Sequence, residues 1–173
     1  MIAELETKGL ETITAIAKTI IKALKHDGRI YLCGNGGSAA DAQHIASELV
    51  GRFERERKPL PAVALTTDTS VITSISNDYG YENIFAKQVE TLVRKGDILW
   101  AISTSGASRN VVAAAKLAKQ KGATVLAFTG NSNSELEQTA DICFCANDKS
   151  TARSQEIHQI AYHIICDLVE ALC

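Results

Sequence analysis

Residues 33–49 read CGNGGSAADAQHIASEL. The apolar stretch RIYLC (29–33) leads into them and reads as a buried strand. The turn GNGGSA spans residues 34–39, and a helical run from Ser38 to Val50 follows. Strand, glycine turn and helix in that order are the opening unit of an alternating α/β chain. Glycines let the backbone approach a ligand closely, and the helix start offers free N–H groups, which suits an anion or a sugar hydroxyl. A tight turn with no ligand explains the same glycines. The spacing Gly34-x-Gly36-x-x-Ala39 also matches a loose dinucleotide fingerprint. Its acidic ribose ligand is expected about 20 residues on, whereas Asp68, at the end of the second strand, comes 34 residues after Gly34.

Working outward, residues 2–27 predict an amphipathic helix that ends near Asp27-Gly28. Further strands are predicted at 62–66, 97–103, 123–129 and 141–146. Helices are predicted at 69–76, 83–94, 108–121, 133–139 and 151–172. Strands and helices alternate throughout, and the strands are near-continuous apolar runs, so both sheet faces are covered. The expected fold is α/β: one domain over residues 1–173, an open five-stranded, mostly parallel sheet with helices on both faces. Such folds bind ligands beyond the carboxyl ends of the strands.

Two more loops lie at that end. STSGAS (103–108) brings four hydroxyl side chains and a glycine to a helix N-terminus. Hydroxyls and backbone amides can ring a phosphate, and the helix dipole favours its charge. No lysine stands in the loop, so a single phosphate on a small molecule fits better than a triphosphate. A serine N-cap with solvated neighbours is the plainer alternative. The second loop region carries Asp68, Asn77 and Asp78, which turn chemistry explains equally well.

His44 and Glu48 are four apart, hence adjacent on one helix face. In the last helix, Gln155 and His163 are eight apart, about 80° around the axis and roughly 12 Å along it. His163 stands among apolar residues and reads equally as a core or interface histidine. His26 and His158 read as surface residues.

The composition excludes several classes. A net charge of −2 provides no basic field for nucleic acid or a membrane surface. No apolar run approaches the roughly 20 residues of a membrane span, and MIAELETKGL does not read as a secretory signal. The five cysteines are then expected as reduced thiols in a cytoplasmic protein. Cys143 and Cys145 share one strand face, as buried core residues or as half of a metal site.

Four stretches together carry a specific resemblance: CGNGGSAADAQHIASEL, TTDTSVITSISNDYGYENIF, GDILWAISTSGASRNV and SQEIHQIAYHIICDLVE. With them the chain resembles the sugar isomerase (SIS) domain family over residues 10–172, within it the branch that isomerises seven-carbon sugar phosphates. The resemblance implies a flavodoxin-like three-layer sandwich and a homotetramer with sites at subunit interfaces, the N-terminal helix serving in oligomer packing. It implies conversion of sedoheptulose 7-phosphate to D-glycero-D-manno-heptose 7-phosphate, on the way to ADP-heptose for surface polysaccharide such as lipopolysaccharide. It implies substrate contacts from Asn35, Gly36, Gly37, Ser38, Glu48, Asn77, Asp78, Ser103, Thr104, Ser105, Ser108 and Gln155. Glu48 and His163 would be catalytic, and in some members His44, Glu48, Gln155 and His163 hold a Zn²⁺. Family members often carry an acidic residue three before the Gln155 position, where this chain has Ala152.

Ketose–aldose exchange moves a proton between C1 and C2 through an enediol. It needs a base at carbon, a donor at oxygen and stabilisation of the enediolate. Glu48 is the expected base and His163 the expected acid, with zinc polarising the carbonyl. A cation-bound glutamate is a weaker base, so either its second oxygen takes the proton or the two roles alternate. Two rival readings stand beside this one. The first is a non-catalytic SIS protein that senses a sugar phosphate or accompanies a DNA-replication initiator; that branch lacks the full acid–base set, which Glu48 and His163 complete here. The second is a dinucleotide-dependent oxidoreductase, a poor match to the hydroxyl-rich third loop.

Overall fold

A computed structural model of the chain describes residues 9–173. In chain order the elements are α1 (Leu10–Leu24), β1 (Ile30–Gly34), α2 (Gly37–Val50), β2 (Ala62–Ala64), α3 (Thr69–Tyr79), α4 (Ala86–Leu92), β3 (Ile98–Ser103), α5 (Arg109–Gln120), β4 (Thr124–Thr129), α6 (Glu135–Thr139), β5 (Ile142–Cys145) and α7 (Thr151–Leu172). A 3-10 turn, Tyr81–Asn83, precedes α4. The predicted start of the first helix at residue 2 lies outside the described residues. Its end comes at Leu24 rather than 27, where the chain turns through Asp27 at φ +60°.

The sheet order is β2-β1-β3-β4-β5 and every pairing is parallel. Alternation along each strand sends side chains to two cores. Ile30, Leu32, Ile98, Trp100, Ile102, Leu126 and Phe128 pack with α1, α2 and α7. Tyr31, Cys33, Leu99, Ala101, Val125 and Ala127 face the other way, against α4 and α5. Helices therefore cover both faces. β1 and β3 are neighbours that lead in opposite directions across the sheet, so their carboxyl ends open a crevice at the switch point of the strand order. The glycine turn and the serine loop flank it.

Two local readings are corrected. The helix predicted over 69–76 runs on to Tyr79, because Asn77 and Asp78 do not stop it; Gly80, at φ +86°, does. His158 is not a surface residue. It is 0% exposed, ringed by Phe128 and Phe144, with Nε2 3.0 Å from the Thr129 carbonyl. The cysteines are free thiols, and Cys143 and Cys145 are half-buried rather than fully buried.

Candidate active site

The glycine turn is open on its ligand side. Gly36 has φ +56°, which glycine adopts without strain, and nothing lies within 4 Å of where a Cβ would stand. Gly37 is close-packed instead: a Cβ there would come 2.2 Å from Nε2 of Gln155, so the last helix lies directly against the start of α2. Ser38 is buried beneath the turn.

Side-chain caps occur at some helix starts and not at others, α1 and α4 being among those without one. α3, α6 and α7 are capped by the side chains of Asp68, Ser134 and Ser150. α2 and α5, which begin at the crevice, have no side-chain cap. The third N–H of each is bonded within the chain, Ala39 to the Gly36 carbonyl and Val111 to that of Ser108, so the first two are left for a ligand. Ser108 stands at the cap position of α5, yet its hydroxyl turns to Ser103 Oγ at 2.9 Å. The serine loop is thus a hydroxyl cluster, not a capping serine with solvated neighbours. Ser105 Oγ lies 3.3 Å from Ser103 Oγ and accepts the Ala107 N–H at 3.2 Å. Thr104 is half-buried beside them.

The two loops are tied together by a reciprocal amide pair. Asn35 Nδ2 donates to Asn110 Oδ1 at 2.8 Å, and Asn110 Nδ2 donates to Asn35 Oδ1 at 2.9 Å. The Val111 N–H also reaches Asn110 Oδ1, and the Tyr81 hydroxyl donates to Asn35 Oδ1, both at 2.9 Å. Asn35, Tyr81, Ser108 and Asn110 line a recess of about 270 Å³. Asn77 and Asp78 are exposed at the end of α3, where the Asn77 amide donates to Asp78 at 2.7 Å. Among the described residues neither hydrogen-bonds another site residue.

The residues expected as base and acid meet within one chain. His44 Nε2 lies 2.9 Å from Glu48 Oε1. The Tyr162 hydroxyl lies 2.9 Å from His44 Nδ1. In the tautomer with the proton on Nε2, His44 donates to Glu48 and its Nδ1 accepts from the Tyr162 hydroxyl. The His163 ring stands edge-on to His44 at 5.1 Å between centroids and stacks on Phe53 at 5.5 Å. Burial lowers the His163 pKa, the neighbouring His44 lowers it further, and Glu48 offsets part of the fall. The net shift favours the neutral imidazole, which has one donor and one acceptor nitrogen. One turn before His44, Asp41 is half-buried, with Oδ2 unpartnered among the described residues. Burial raises its pKa to about 6, against the pull of His44.

His44, Glu48, His163 and Gln155 offer nitrogen and oxygen donors of types zinc accepts; the first three are in contact, and Gln155 lies against Gly37 at the start of α2. In the present arrangement His44 and Glu48 bond to each other, and among the described residues no three or more His, Cys, Asp or Glu side chains are disposed as a metal cage. The donor types fit a zinc ion, while the side chains as they stand do not form its cage. Tyr162, Phe53, Asp41, Asn110 and Tyr81 belong to the site without having been expected. Helical spacing places Asp41 beside His44, and Tyr162 adjoins His163, so these two were within reach of the sequence.

The SIS domain family profile matches residues 1–130. A phosphoheptose isomerase from Roseiflexus sp. is 53% identical over 158 residues, covering 91% of this chain and 80% of that protein. One from Aquifex aeolicus is 51% identical over 162 residues, covering 94% and 85%. The solved structure of the phosphoheptose isomerase from Neisseria gonorrhoeae superposes with a TM-score of 0.92 at 42% identity, covering 98% of this chain and 90% of that one. On these matches the chain belongs to the phosphoheptose isomerases of the SIS-domain family.

Proposed function

We propose that the protein interconverts sedoheptulose 7-phosphate and D-glycero-D-manno-heptose 7-phosphate through an enediol, with Glu48 as base and His163 as acid. The carrying observation is the convergence of α2 and α7, which brings Glu48, His44 and His163 into one contact group. Glu48 Oε1 is engaged by His44, and Oε2 has no hydrogen-bond partner among the described residues. Oε2 is then the atom that takes the proton from carbon. Neutral His163 gives a proton to the developing alkoxide and recovers it from the other oxygen. The uncapped start of α5, with Ser103, Thr104, Ser105 and Ser108, binds the phosphate. Asn35, Gly36, Gly37 and Ser38 hold the sugar end, and the exposed Asn77–Asp78 pair reaches its distal hydroxyls.

His44, Glu48, Gln155 and His163 would hold a Zn²⁺, which supplies Lewis-acid polarisation of the carbonyl. Homotetrameric assembly with shared sites, a cytoplasmic location and supply of heptose for surface polysaccharide complete the reading. The test is turnover of sedoheptulose 7-phosphate before and after chelation, with metal analysis of the same sample. Turnover that falls on chelation and returns with zinc supports the whole proposal. Turnover that is indifferent to chelation in metal-free protein removes the zinc. No turnover in either state removes the enzyme.

A further inference from the structure

The loop after α2 reads GRFERERKPL over residues 51–60, a charged run that would be solvated if left alone. It is gripped instead. Glu170, whose side chain is 1% exposed, accepts the consecutive backbone N–H groups of Phe53, Glu54 and Arg55 at 2.8, 2.7 and 2.8 Å. Burial alone would raise the Glu170 pKa, but these N–H donors and Arg57 more than offset it, and the net shift is downward. The carboxylate is therefore charged in place. Arg57 Nε lies 3.5 Å from Glu170 Oε1. Its Nη1 donates to the carbonyls of Leu49, Gly51 and Lys58 at 2.9, 3.1 and 3.1 Å, and Nη2 to that of Glu48 at 2.6 Å. The Glu48, Leu49 and Gly51 carbonyls belong to the C-terminal end of α2, where orphan carbonyls and the helix dipole favour a cation.

Both arms of this clamp end on the acid–base pair. Arg57 holds the backbone of Glu48 itself. Phe53, fixed through its own N–H, lays its ring on His163 at an interplanar angle of 28°. Glu170 follows His163 by two helical turns on the same face of α7, so one helix carries both the imidazole and the anchor of the ring that packs on it. We propose that Glu170 is a positioning residue for the isomerisation, holding loop 51–58 so that Phe53 sets the plane of the His163 imidazole while Arg57 steadies the end of the helix bearing Glu48. Glu170 touches no substrate in this scheme; it acts through Phe53 and Arg57. The inference rests on Glu48 and His163 being the acid–base pair.

The test uses full-length protein carrying Glu170→Gln, Phe53→Leu, Phe53→Tyr, the Glu170→Gln/Phe53→Leu double change, and His163→Gln as reference. The amide of Glu170→Gln has one acceptor oxygen and turns an NH₂ toward N–H donors. Misplacement of a catalytic group by about 1 Å can cost roughly 100-fold, so kcat is expected to fall roughly 10- to 100-fold with KM within about threefold of wild type. Phe53→Leu, which keeps apolar volume but loses the stacking plane, reproduces the loss. Phe53→Tyr, which restores the plane, recovers most of the kcat that Phe53→Leu loses. The double variant is no slower than the slower single one. A soluble Glu170→Gln protein with wild-type kcat overturns the proposal, as does a pure KM effect, or losses that multiply in the double variant. If Glu170→Gln does not fold, the Phe53 pair decides: wild-type kcat in Phe53→Leu, or equal loss in Phe53→Tyr, overturns it. Retained turnover in His163→Gln instead removes the underlying acid–base assignment, a result distinct from failure of the clamp alone.

Discussion

The Tyr162 hydroxyl lies 2.9 Å from Nδ1 of His44, and Glu48 Oε1 lies 2.9 Å from the other nitrogen of the same ring. The imidazole is thus held at both ends, by a residue of the last helix and by one of its own helix. Tyr162→Phe removes one end and leaves the ring free to change tautomer. The expected result is a loss of about 1 kcal/mol in stability and roughly a tenfold drop in kcat. Denaturant melts and steady-state kinetics read the two effects separately; unchanged kcat would show that packing alone orients His44.

Glu48→Gln keeps the shape of the base and removes its basicity. Turnover is expected to fall by about 10²- to 10⁴-fold, the usual weight of a general base. Binding of sedoheptulose 7-phosphate, followed by calorimetry, should persist. Near-normal turnover would take Glu48 out of the mechanism.

Ser105→Ala addresses the hydroxyl loop. A hydrogen bond to a charged group contributes about 1.5–3 kcal/mol, so KM should rise roughly tenfold or more while kcat stays within about twofold of wild type. A change confined to kcat would mean that the phosphate sits elsewhere.

His158 sets a pH limit on stability. Burial drives its pKa from 6.5 down to about 4, only partly countered by the hydrogen bond to the Thr129 carbonyl. The unfolded chain therefore binds the proton more readily between those values. The stabilising contribution is complete above about pH 6.5 and is lost as pH falls towards 4, about 3 kcal/mol in all. Urea midpoints at pH 7 and pH 4.5 should separate more in wild type than in His158→Gln. Equal separations would acquit His158.

The strands were legible because a strand covered on both faces must be a short apolar run, and their ends fall within a residue or two of the reading. Helix ends were less so, since Gly80 ends α3 where the Asn77-Asp78 pair looks like the stop. His158 was misread although helical spacing aligns it with Ala161, Tyr162 and Ile165, all buried. A polar letter masked its place on an apolar face. The His44–Glu48 pair follows from spacing, but its meeting with His163 depends on how α7 lies across α2, which no local pattern encodes. Phe53 and Glu170 were invisible for the same reason. One sits in a charged loop without periodicity, and the other looks like a solvated carboxylate at a helix end.

The amide pair between Asn35 and Asn110 has a consequence for what the crevice can recognise. The main-chain N–H of Val111 claims Asn110 Oδ1, which dictates the orientation of both side chains. Both lone pairs of Asn35 Oδ1 are then occupied, by Asn110 and Tyr81, and one of its two amide protons is spent. A single proton is left to offer outward. At Asn35 itself the recess therefore offers a donor to an electron-rich oxygen, and a hydroxyl that must donate finds its acceptors at the neighbouring Tyr81 oxygen and Glu82 carboxylate.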